Sequence, residues 1–422
     1  MPFSSSSFPA WLSPRNLAWF GTLAAVVALS TSKAVLSIST ALIALGGVWH
    51  LIAHRKAGSV RPLAWWMASI WGLAVLGWLL LGEGAAGVQN IWSKLPFLLL
   101  GLTYGVLPAF SSKQQYGLLA AFVLIQSIIT VISLGYFFHD YELAMGRLAR
   151  NAHIDIAGSI NHIYFGLLLS FSVFAAVWLW RSSIDLFGKW EHWVWGILAL
   201  VLFASLHVLI ARTGLLAFYA AAGISLVTLA IRRRAWIIGG GALFLLLAVP
   251  VVSFYTIPSF EMKLRASWWD LQGYRSPDRD LTHHSASLRL VAYEAAWRLF
   301  TEQPLVGRGL TRVEPSMATA YAEMEIHAQP EALPTNPHNQ YLEYLVAYGM
   351  VGAVLLILVC IRPFWEQRSK KTPLLLISFV AMYMTAMLVE SLLERQVGVY
   401  FFVIFLPLLS TLNQADSKAI DD

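Results

Sequence analysis

Long apolar runs dominate this chain and limit what it can fold into. Crossing about 30 Å of hydrocarbon takes about 20 helical residues, and apolar segments of roughly that length occur twelve times in the 422 residues. Hydrophobic residues make up 58% of the sequence and charged residues only 12%, a balance that excludes a water-soluble enzyme. The predicted fold class is therefore an all-α polytopic membrane protein with about 12 transmembrane helices. The predicted spans are 16–31, 34–53, 63–82, 95–110, 116–138, 159–180, 192–211, 213–231, 235–253, 339–361, 373–391 and 397–413.

The basic residues predict the orientation of these spans. The formal net charge is +6, but Lys and Arg are scattered between apolar segments, so we predict no nucleic-acid partner. With a cytoplasmic N-terminus, fifteen of the 29 Lys and Arg residues fall on the cytoplasmic side. Six, including Lys94, fall on the opposite side, and one long loop carries the remaining eight. The positive-inside rule then predicts that both termini are cytoplasmic and that the long loop is periplasmic.

The long loop has helical periodicity and is predicted to be a folded domain. Apolar residues recur at helical spacing from Leu288 to Phe300, and Glu294 precedes Arg298 by four residues, which favours an ion pair. Ser285 or Ser287 is the predicted cap of this helix. Residues 259–272 and 314–327 are predicted to form further helices. The predicted division is residues 1–253 with nine spans, 254–338 as the loop domain, and 339–422 with three spans and a cytoplasmic tail.

His338 is the strongest candidate for acid–base chemistry. It follows Asn336 and Pro337 where the long loop returns to the membrane; Asn336 is predicted to cap the tenth span, and proline suits the first helical position. The free N–H groups of a first helical turn favour a bound anion and a neutral imidazole. A neutral imidazole beside an anion suits a general base. A histidine that merely makes local hydrogen bonds is an equally weighted alternative.

Three arginines and one acid complete the set of candidates. Arg212 lies where two spans meet almost without a loop, and should have an anionic partner or reach water. Arg289 lies beside the apolar stripe of the loop helix, where a solvated surface residue is the alternative. Arg265 could contact phosphate or a lipid headgroup, although interfacial anchoring is the favoured explanation. Glu390 is an intramembrane acid, predicted to pair with Arg395 or Arg212.

A short acidic motif raises the question of a metal. Asp278 and Asp280 flank an arginine in a D-x-D pattern, and carboxylate oxygens are good ligands for hard cations. The motif is short and lies in a turn-prone context, where two surface acids are common. We predict no metal and no cofactor. The single cysteine, Cys360, excludes an intrachain disulfide.

Three sequence blocks resemble the O-antigen ligase/polymerase superfamily. Residues 287–300 read SLRLVAYEAAWRLF and residues 304–309 read PLVGRG, similar to the first block. Residues 337–345, PHNQYLEYL, with 348–352, YGMVG, look like the second block, and residues 211–214, ARTG, are similar to the third. The blocks extend over about a third of the chain, and the late large loop also fits the superfamily.

This resemblance implies a fold like that of the GT-C glycosyltransferases and a specific reaction. The implied donor is a glycan on undecaprenyl pyrophosphate, and the implied acceptor is a hydroxyl of lipid A-core at the periplasmic side of the bacterial inner membrane. His338 corresponds to the proposed base, and Arg212 and Arg289 correspond to residues thought to hold the pyrophosphate. An O-antigen ligase is the leading interpretation. An O-antigen polymerase, a protein O-oligosaccharyltransferase and, from a different class, a lipid-linked glycan transporter are the alternatives.

Overall fold

The computed structural model describes residues 13–54, 60–150, 152–274, 280–282, 284–324, 326–367 and 372–412. Within these ranges the elements are helices and the turns that connect them, without strands. The first ten helices are α1 (Pro14–Ala28), α2 (Lys33–Ala53), α3 (Pro62–Leu81), α4 (Gly84–Val106), α5 (Ser112–His139), α6 (Tyr141–Ala149), α7 (His162–Arg181), α8 (Glu191–Val208), α9 (Arg212–Arg233) and α10 (Trp236–Thr256). The remaining six are α11 (Pro258–Gly273), α12 (Ser285–Glu302), α13 (Val313–Glu323), α14 (Gln340–Glu366), α15 (Leu374–Ala386) and α16 (Gln396–Ser410).

Each of the twelve predicted spans overlaps one helix, and the all-α membrane fold is confirmed. Among the described residues, eight helices are long and apolar enough to cross a membrane, namely α2, α3, α5, α7, α8, α9, α10 and α14. The other four overlapping helices are α1, α4, α15 and α16, of which α15 and α16 are apolar but short. The number of crossings stays a prediction, as does the division at residues 253 and 338.

Aromatic rings fill the centre of the helical bundle. Phe171 of α7 packs against Phe122 of α5, Phe379 of α15 and Phe405 of α16, with ring centroids 5.1–5.6 Å apart. The apolar stretch of α7 is 78% buried, whereas that of α10 is only 6% buried. Since apolar side chains can remain exposed in hydrocarbon, α10 lies at the lipid-facing edge and α7 forms the core.

The long loop folds into helices α11, α12 and α13, and a carboxylate joins the first two. Asp270 of α11 accepts hydrogen bonds from the backbone N–H groups of Ala286 and Ser287, at 2.8 and 3.3 Å. The Ser287 hydroxyl donates to the Asp270 carbonyl at 2.6 Å. The prediction that Ser285 or Ser287 caps α12 is therefore wrong, because a carboxylate from the preceding helix occupies the capping position. The predicted ion pair between Arg298 and Glu294 is present at 2.7 Å.

The connection between α15 and α16, residues 387–395, is fixed by the first turn of α14. The backbone N–H of Gln340 donates to the Met387 carbonyl at 2.8 Å, and its side-chain amide accepts from the Leu393 N–H at 2.6 Å. The same amide donates to Glu394 at 3.0 Å. This segment is irregular apart from the 3₁₀ turn Leu392–Glu394. The backbone of residues 387–395 is therefore positioned by Gln340 of α14, two residues after His338.

A buried lysine also holds residues 387–395. Lys94 is 1% exposed and its ammonium lies 2.8 Å from the Glu394 carboxylate, with a second hydrogen bond to the Leu393 carbonyl. The fourth span is predicted to begin at residue 95, but α4 begins at Gly84, so Lys94 lies within the helix. An ion pair with the partly buried Glu394 lets the lysine lie inside a helix of the bundle.

Loop residues 304–309 pack onto an unwound turn of α14. Gly349 has a φ of 64° within α14, and a Cβ placed there would lie 2.3 Å from the Leu305 carbonyl. Backbone hydrogen bonds join Arg308 N–H to the Val346 carbonyl and Met350 N–H to the Pro304 carbonyl, at 2.9 and 2.8 Å. Only glycine allows both the backbone conformation and this approach. This contact joins the loop domain to the helix that follows His338.

Candidate functional site

His338 lies immediately before α14, in a strained backbone conformation. Its φ is 47°, in the left-handed region that residues with a Cβ rarely adopt. Its N–H donates to the Asn336 side chain at 2.9 Å, whereas Asn339 caps the helix by accepting from the N–H groups of Tyr341 and Leu342. The prediction that Asn336 caps the tenth span is wrong, because Asn336 forms a local turn and Asn339 takes the capping role. Backbone strain of this kind is concentrated at functional sites.

Glu390 holds the imidazole of His338. Nδ1 of His338 lies 3.2 and 3.3 Å from the two carboxylate oxygens of Glu390, a residue that is 8% exposed. The guanidinium of Arg289 lies 3.6 Å from the same carboxylate. The prediction that Glu390 pairs with Arg395 or Arg212 is therefore wrong, since its partners are Arg289 and His338. With Nδ1 directed at a carboxylate, Nε2 is the nitrogen free to accept a proton, and the resulting imidazolium is stabilised.

Tyr293 connects the loop helix α12 to the backbone around His338 and Glu390 through hydrogen bonds. Its hydroxyl is 2.8 Å from the Leu388 carbonyl and 3.4 Å from the His338 carbonyl. Tyr293 lies one helical turn after Arg289, so the same face of α12 reaches both ends of the His338–Glu390 pair. Burial raises the pKa of Tyr293, which keeps the phenol protonated as a hydrogen-bond donor.

Arg212 begins α9 and points toward the loop domain. Its Nη1 donates to the Ser267 hydroxyl of α11 at 2.9 Å. The start of α9 lies directly against α7, where a Cβ on Gly214 would be 2.3 Å from the Gly166 carbonyl. Among the described residues, no carboxylate lies within the 4.0 Å ion-pair distance of Arg212. The hydrogen bond to Ser267 therefore holds the Arg212 side chain, and among the described residues no acidic side chain pairs with its charge.

A cavity collects positive charge between α7, α9, α11 and α12. Five of its lining side chains are basic: His153, His162, Arg212, Lys263 and Arg289. The remaining described lining residues are apolar, apart from Thr213, and include no carboxylate. The two imidazole rings stack with centroids 3.4 Å apart. A cavity with several cations and no acid is suited to a multiply charged anion.

Burial keeps the His153 imidazole of this cavity uncharged. The pKa of His153 is lowered to about 4, first by burial and then by the positive charges of Lys263, Arg212 and Arg289. His153 is therefore an uncharged hydrogen-bonding group at neutral pH. Arg212 and Arg289 retain their charge because guanidinium groups do not lose their proton in proteins.

Sequence reasoning missed Lys263, His153 and His162. Lys263, Ser267 and Asp270 are spaced at i, i+4 and i+7, so they share one face of α11, and this polar stripe was the signal available. Arg265 lies on the other side of the helix, where it pairs with Glu261 at 2.8 Å and lies 5.3 Å from the Phe254 ring. The structure therefore brings Arg212 and Arg289 to one cavity and leaves Arg265 outside it.

The D-x-D motif lies partly outside the described residues. Asp278 is not among them, and Asp280 accepts a hydrogen bond from the Thr282 N–H at 2.9 Å. Among the described residues, no group of three or more His, Cys, Asp or Glu side chains is arranged to hold a metal ion. That this motif binds no metal stays a prediction.

The comparison with protein families matches a part of the chain that includes the lysine and both arginines of the cavity. A family described as O-Antigen ligase matches residues 197–357. This match supports membership of the O-antigen ligase superfamily. The matched range holds Arg212, Lys263, Arg289 and His338, whereas Glu390 follows it. No curated protein matches the chain.

Members of the O-antigen ligase superfamily are membrane enzymes of the glycosyltransferase type, with a lipid-linked glycan and an acceptor as substrates. Beside this likeness, the structure shows a carboxylate-held imidazole next to a cationic cavity. Arg289 belongs to both, since it lines the cavity and contacts Glu390.

Proposed function

We propose that this protein is an O-antigen ligase of the bacterial inner membrane. It transfers a glycan from undecaprenyl pyrophosphate to a sugar hydroxyl of lipid A-core on the periplasmic side, with both termini in the cytoplasm. The observation that carries the proposal is the position of Arg289, which joins a cavity suited to a diphosphate to a carboxylate that orients a potential base. A glycosyl transfer needs a base for the acceptor hydroxyl close to positive charge for the leaving diphosphate.

In this mechanism His338 is the general base. Nε2 of His338 takes the proton of the acceptor hydroxyl as that oxygen attacks the anomeric carbon of the donor. The bond between the anomeric carbon and the diphosphate oxygen breaks on the opposite face, so the configuration inverts. Glu390 stabilises the imidazolium through Nδ1, and the proton is later released to water.

Arg212 and Arg289 bind the leaving group. Undecaprenyl pyrophosphate departs with the electrons of the broken bond, and guanidinium groups bind its phosphate oxygens in a bidentate manner. Because these cations line a largely apolar cavity, their attraction to the developing charge is stronger than in water. Two arginines can neutralise this charge without a metal, and we therefore propose a metal-independent reaction.

The test uses the purified protein, lipid A-core and a glycan on undecaprenyl pyrophosphate, with EDTA and separately with magnesium. We expect ligated product on a gel under both conditions. His338→Ala should lower the rate by about 10² to 10⁴, while His54→Ala, an exposed histidine at the end of α2, serves as the matched control. Arg212→Ala should weaken use of the donor more than use of the acceptor.

Other outcomes identify the alternatives. Product only with magnesium would return attention to Asp278 and Asp280. Elongation of a second lipid-linked glycan would indicate a polymerase, and transfer to a protein hydroxyl would indicate an oligosaccharyltransferase. Movement of the donor across a liposome membrane without transfer would indicate a transporter. Full ligation by a well-folded His338→Ala variant would refute the role of His338.

A further inference from the structure

Lys263 is a buried cation that the mechanism so far leaves unused. It is 2% exposed, and its ammonium donates to the Ala152 carbonyl at 2.9 Å. An ammonium has three donors, and among the described residues this carbonyl is the only acceptor within hydrogen-bond distance. A buried charge with one neutral partner is costly. Such a side chain is retained where it has a ligand or a chemical role.

The groups that face Lys263 are mostly basic. Helix α6 contributes the apolar Leu148. Four basic side chains and one carboxylate approach Lys263 from the other elements: Arg212 of α9, Arg289 of α12, His162 of α7, His153 of the segment before α7, and Asp270 of its own helix. Asp270 is occupied with the N-terminus of α12. The ammonium therefore lies near the charges of Arg212 and Arg289, and a bound anion would relieve their repulsion.

We propose that Lys263 is a third binding contact for the donor diphosphate, joining Arg212 and Arg289 when the anion enters the cavity. This inference rests on the proposed function. A diphosphate has several anionic oxygens on two phosphorus atoms, and the three cations approach the cavity from α9, α11 and α12. One cation from each helix allows both phosphates to be contacted at once. The Ala152 carbonyl holds the ammonium in the absence of the ligand.

The protonation of Lys263 gives this contact a pH signature. Burial lowers the pKa of Lys263 to about 7, with a further decrease from Arg212 and an opposing effect of Asp270. A bound anion favours the charged form and raises this pKa again. Binding above pH 7 must therefore take up a proton, and the affinity should decrease as the pH rises. An arginine at this position would not show this behaviour.

The experiment measures binding of undecaprenyl pyrophosphate to the purified full-length protein in nanodiscs at pH 6.5 and pH 9. We expect the wild-type Kd to rise by up to about tenfold per pH unit above the pKa of Lys263. Lys263→Arg should keep tight binding at pH 9 and show a flatter profile. Lys263→Met should bind about tenfold or more weakly at pH 6.5, the value of a charged hydrogen bond. Arg298→Met, which removes an exposed ion pair on α12, is the matched control.

The outcomes separate this inference from the proposed function. If the wild type and the control both fail to bind undecaprenyl pyrophosphate, the proposed donor is wrong and this inference falls with it. If Arg212→Ala loses binding while both Lys263 variants follow the wild-type profile, only the inference is overturned. Should Lys263→Met fail to fold, a Lys263→Arg profile identical to the wild type would still overturn it. Comparison with undecaprenyl phosphate should give a smaller loss in Lys263→Met, because one phosphate needs fewer cations.

Discussion

The ion pair between Lys94 and Glu394 should control both stability and activity. The two groups are 2.8 Å apart, and the Lys94 and Glu394 side chains are 1% and 18% exposed. Lys94→Met leaves the Glu394 carboxylate with the amide of Gln340 as its remaining described partner. Removing one member of a buried pair costs about 3 to 5 kcal/mol. Replacing both charges, as Lys94→Met with Glu394→Gln, should recover most of this cost because no buried charge remains.

The same substitution should slow ligation. Glu394 is joined through Gln340 to the first turn of α14, two residues after His338, and residues 387–395 carry Glu390. Loosening this segment displaces the carboxylate that orients the imidazole, and small displacements of this kind cost on the order of 10²-fold in rate. We expect the Lys94→Met variant to lose kcat with little change in KM, and the double variant to regain part of it.

The assay is a double-mutant cycle in detergent. Thermal unfolding followed by tryptophan fluorescence gives stability, and ligation with saturating substrates gives kcat. Lys113→Met, an exposed lysine on α5, is the matched control and should match the wild type in both measurements. Additive effects of Lys94→Met and Glu394→Gln, or a wild-type unfolding temperature in both single variants, would refute the argument.

The other predictions concern the site and the loop domain. Glu390→Gln should lower kcat by on the order of 10²-fold or more, as measured by initial rates with saturating substrates; a wild-type rate would contradict the role of the Nδ1 contact. Without ligand, Lys263→Met should be more stable than the wild type at pH 6, by on the order of 4 kcal/mol, because the pKa of Lys263 falls from 10.5 to about 7 on folding. The unfolded state then binds more protons between pH 7 and 10.5, so wild-type stability should rise with pH in this window while that of the variant rises less. Asp270→Asn should lower the unfolding temperature through loss of the charged cap on α12, worth about 1 to 2 kcal/mol, and equal unfolding curves would contradict it.

The sequence determines the helices of the bundle more directly than their ends. A run of about 20 apolar residues in lipid must satisfy its backbone hydrogen bonds internally, so each run forms a helix. The end of the eleventh span was misplaced because residues 387–391 look like part of an apolar run. In the structure α15 ends at Ala386, since the Gln340 N–H takes the Met387 carbonyl and the irregular segment begins there. Such a tertiary contact has no local sequence signal.

At the candidate site, too, local features could be predicted from the sequence and tertiary contacts could not. His338, Arg212 and Arg289 were accessible from the sequence because they lie in recognisable blocks or at helix junctions. The partner of Glu390 was not accessible, because residues 289, 338 and 390 approach only when the loop domain packs on α14. Asn336 and Asn339 are both able to cap a helix, and tertiary contacts around His338 select the second. Lys263 was passed over for Arg265, since composition does not distinguish the two sides of α11.

The short helices α15 and α16 set the depth at which chemistry takes place. At about 1.5 Å per residue, α15 with 13 residues and α16 with 15 residues reach about 20 to 22 Å, less than the 30 Å of the hydrocarbon layer. The difference is taken up by residues 387–395, whose irregular backbone must be buried in protein or wetted. Met387, Leu392 and Leu393 are fully buried and Glu390 is 8% exposed, so protein surrounds most of this segment and satisfies the condition for irregular backbone at membrane depth. In the proposed reaction, the acceptor hydroxyl would meet His338 at the level of this buried segment, while the isoprenoid chain of the donor would stay among the lipid tails.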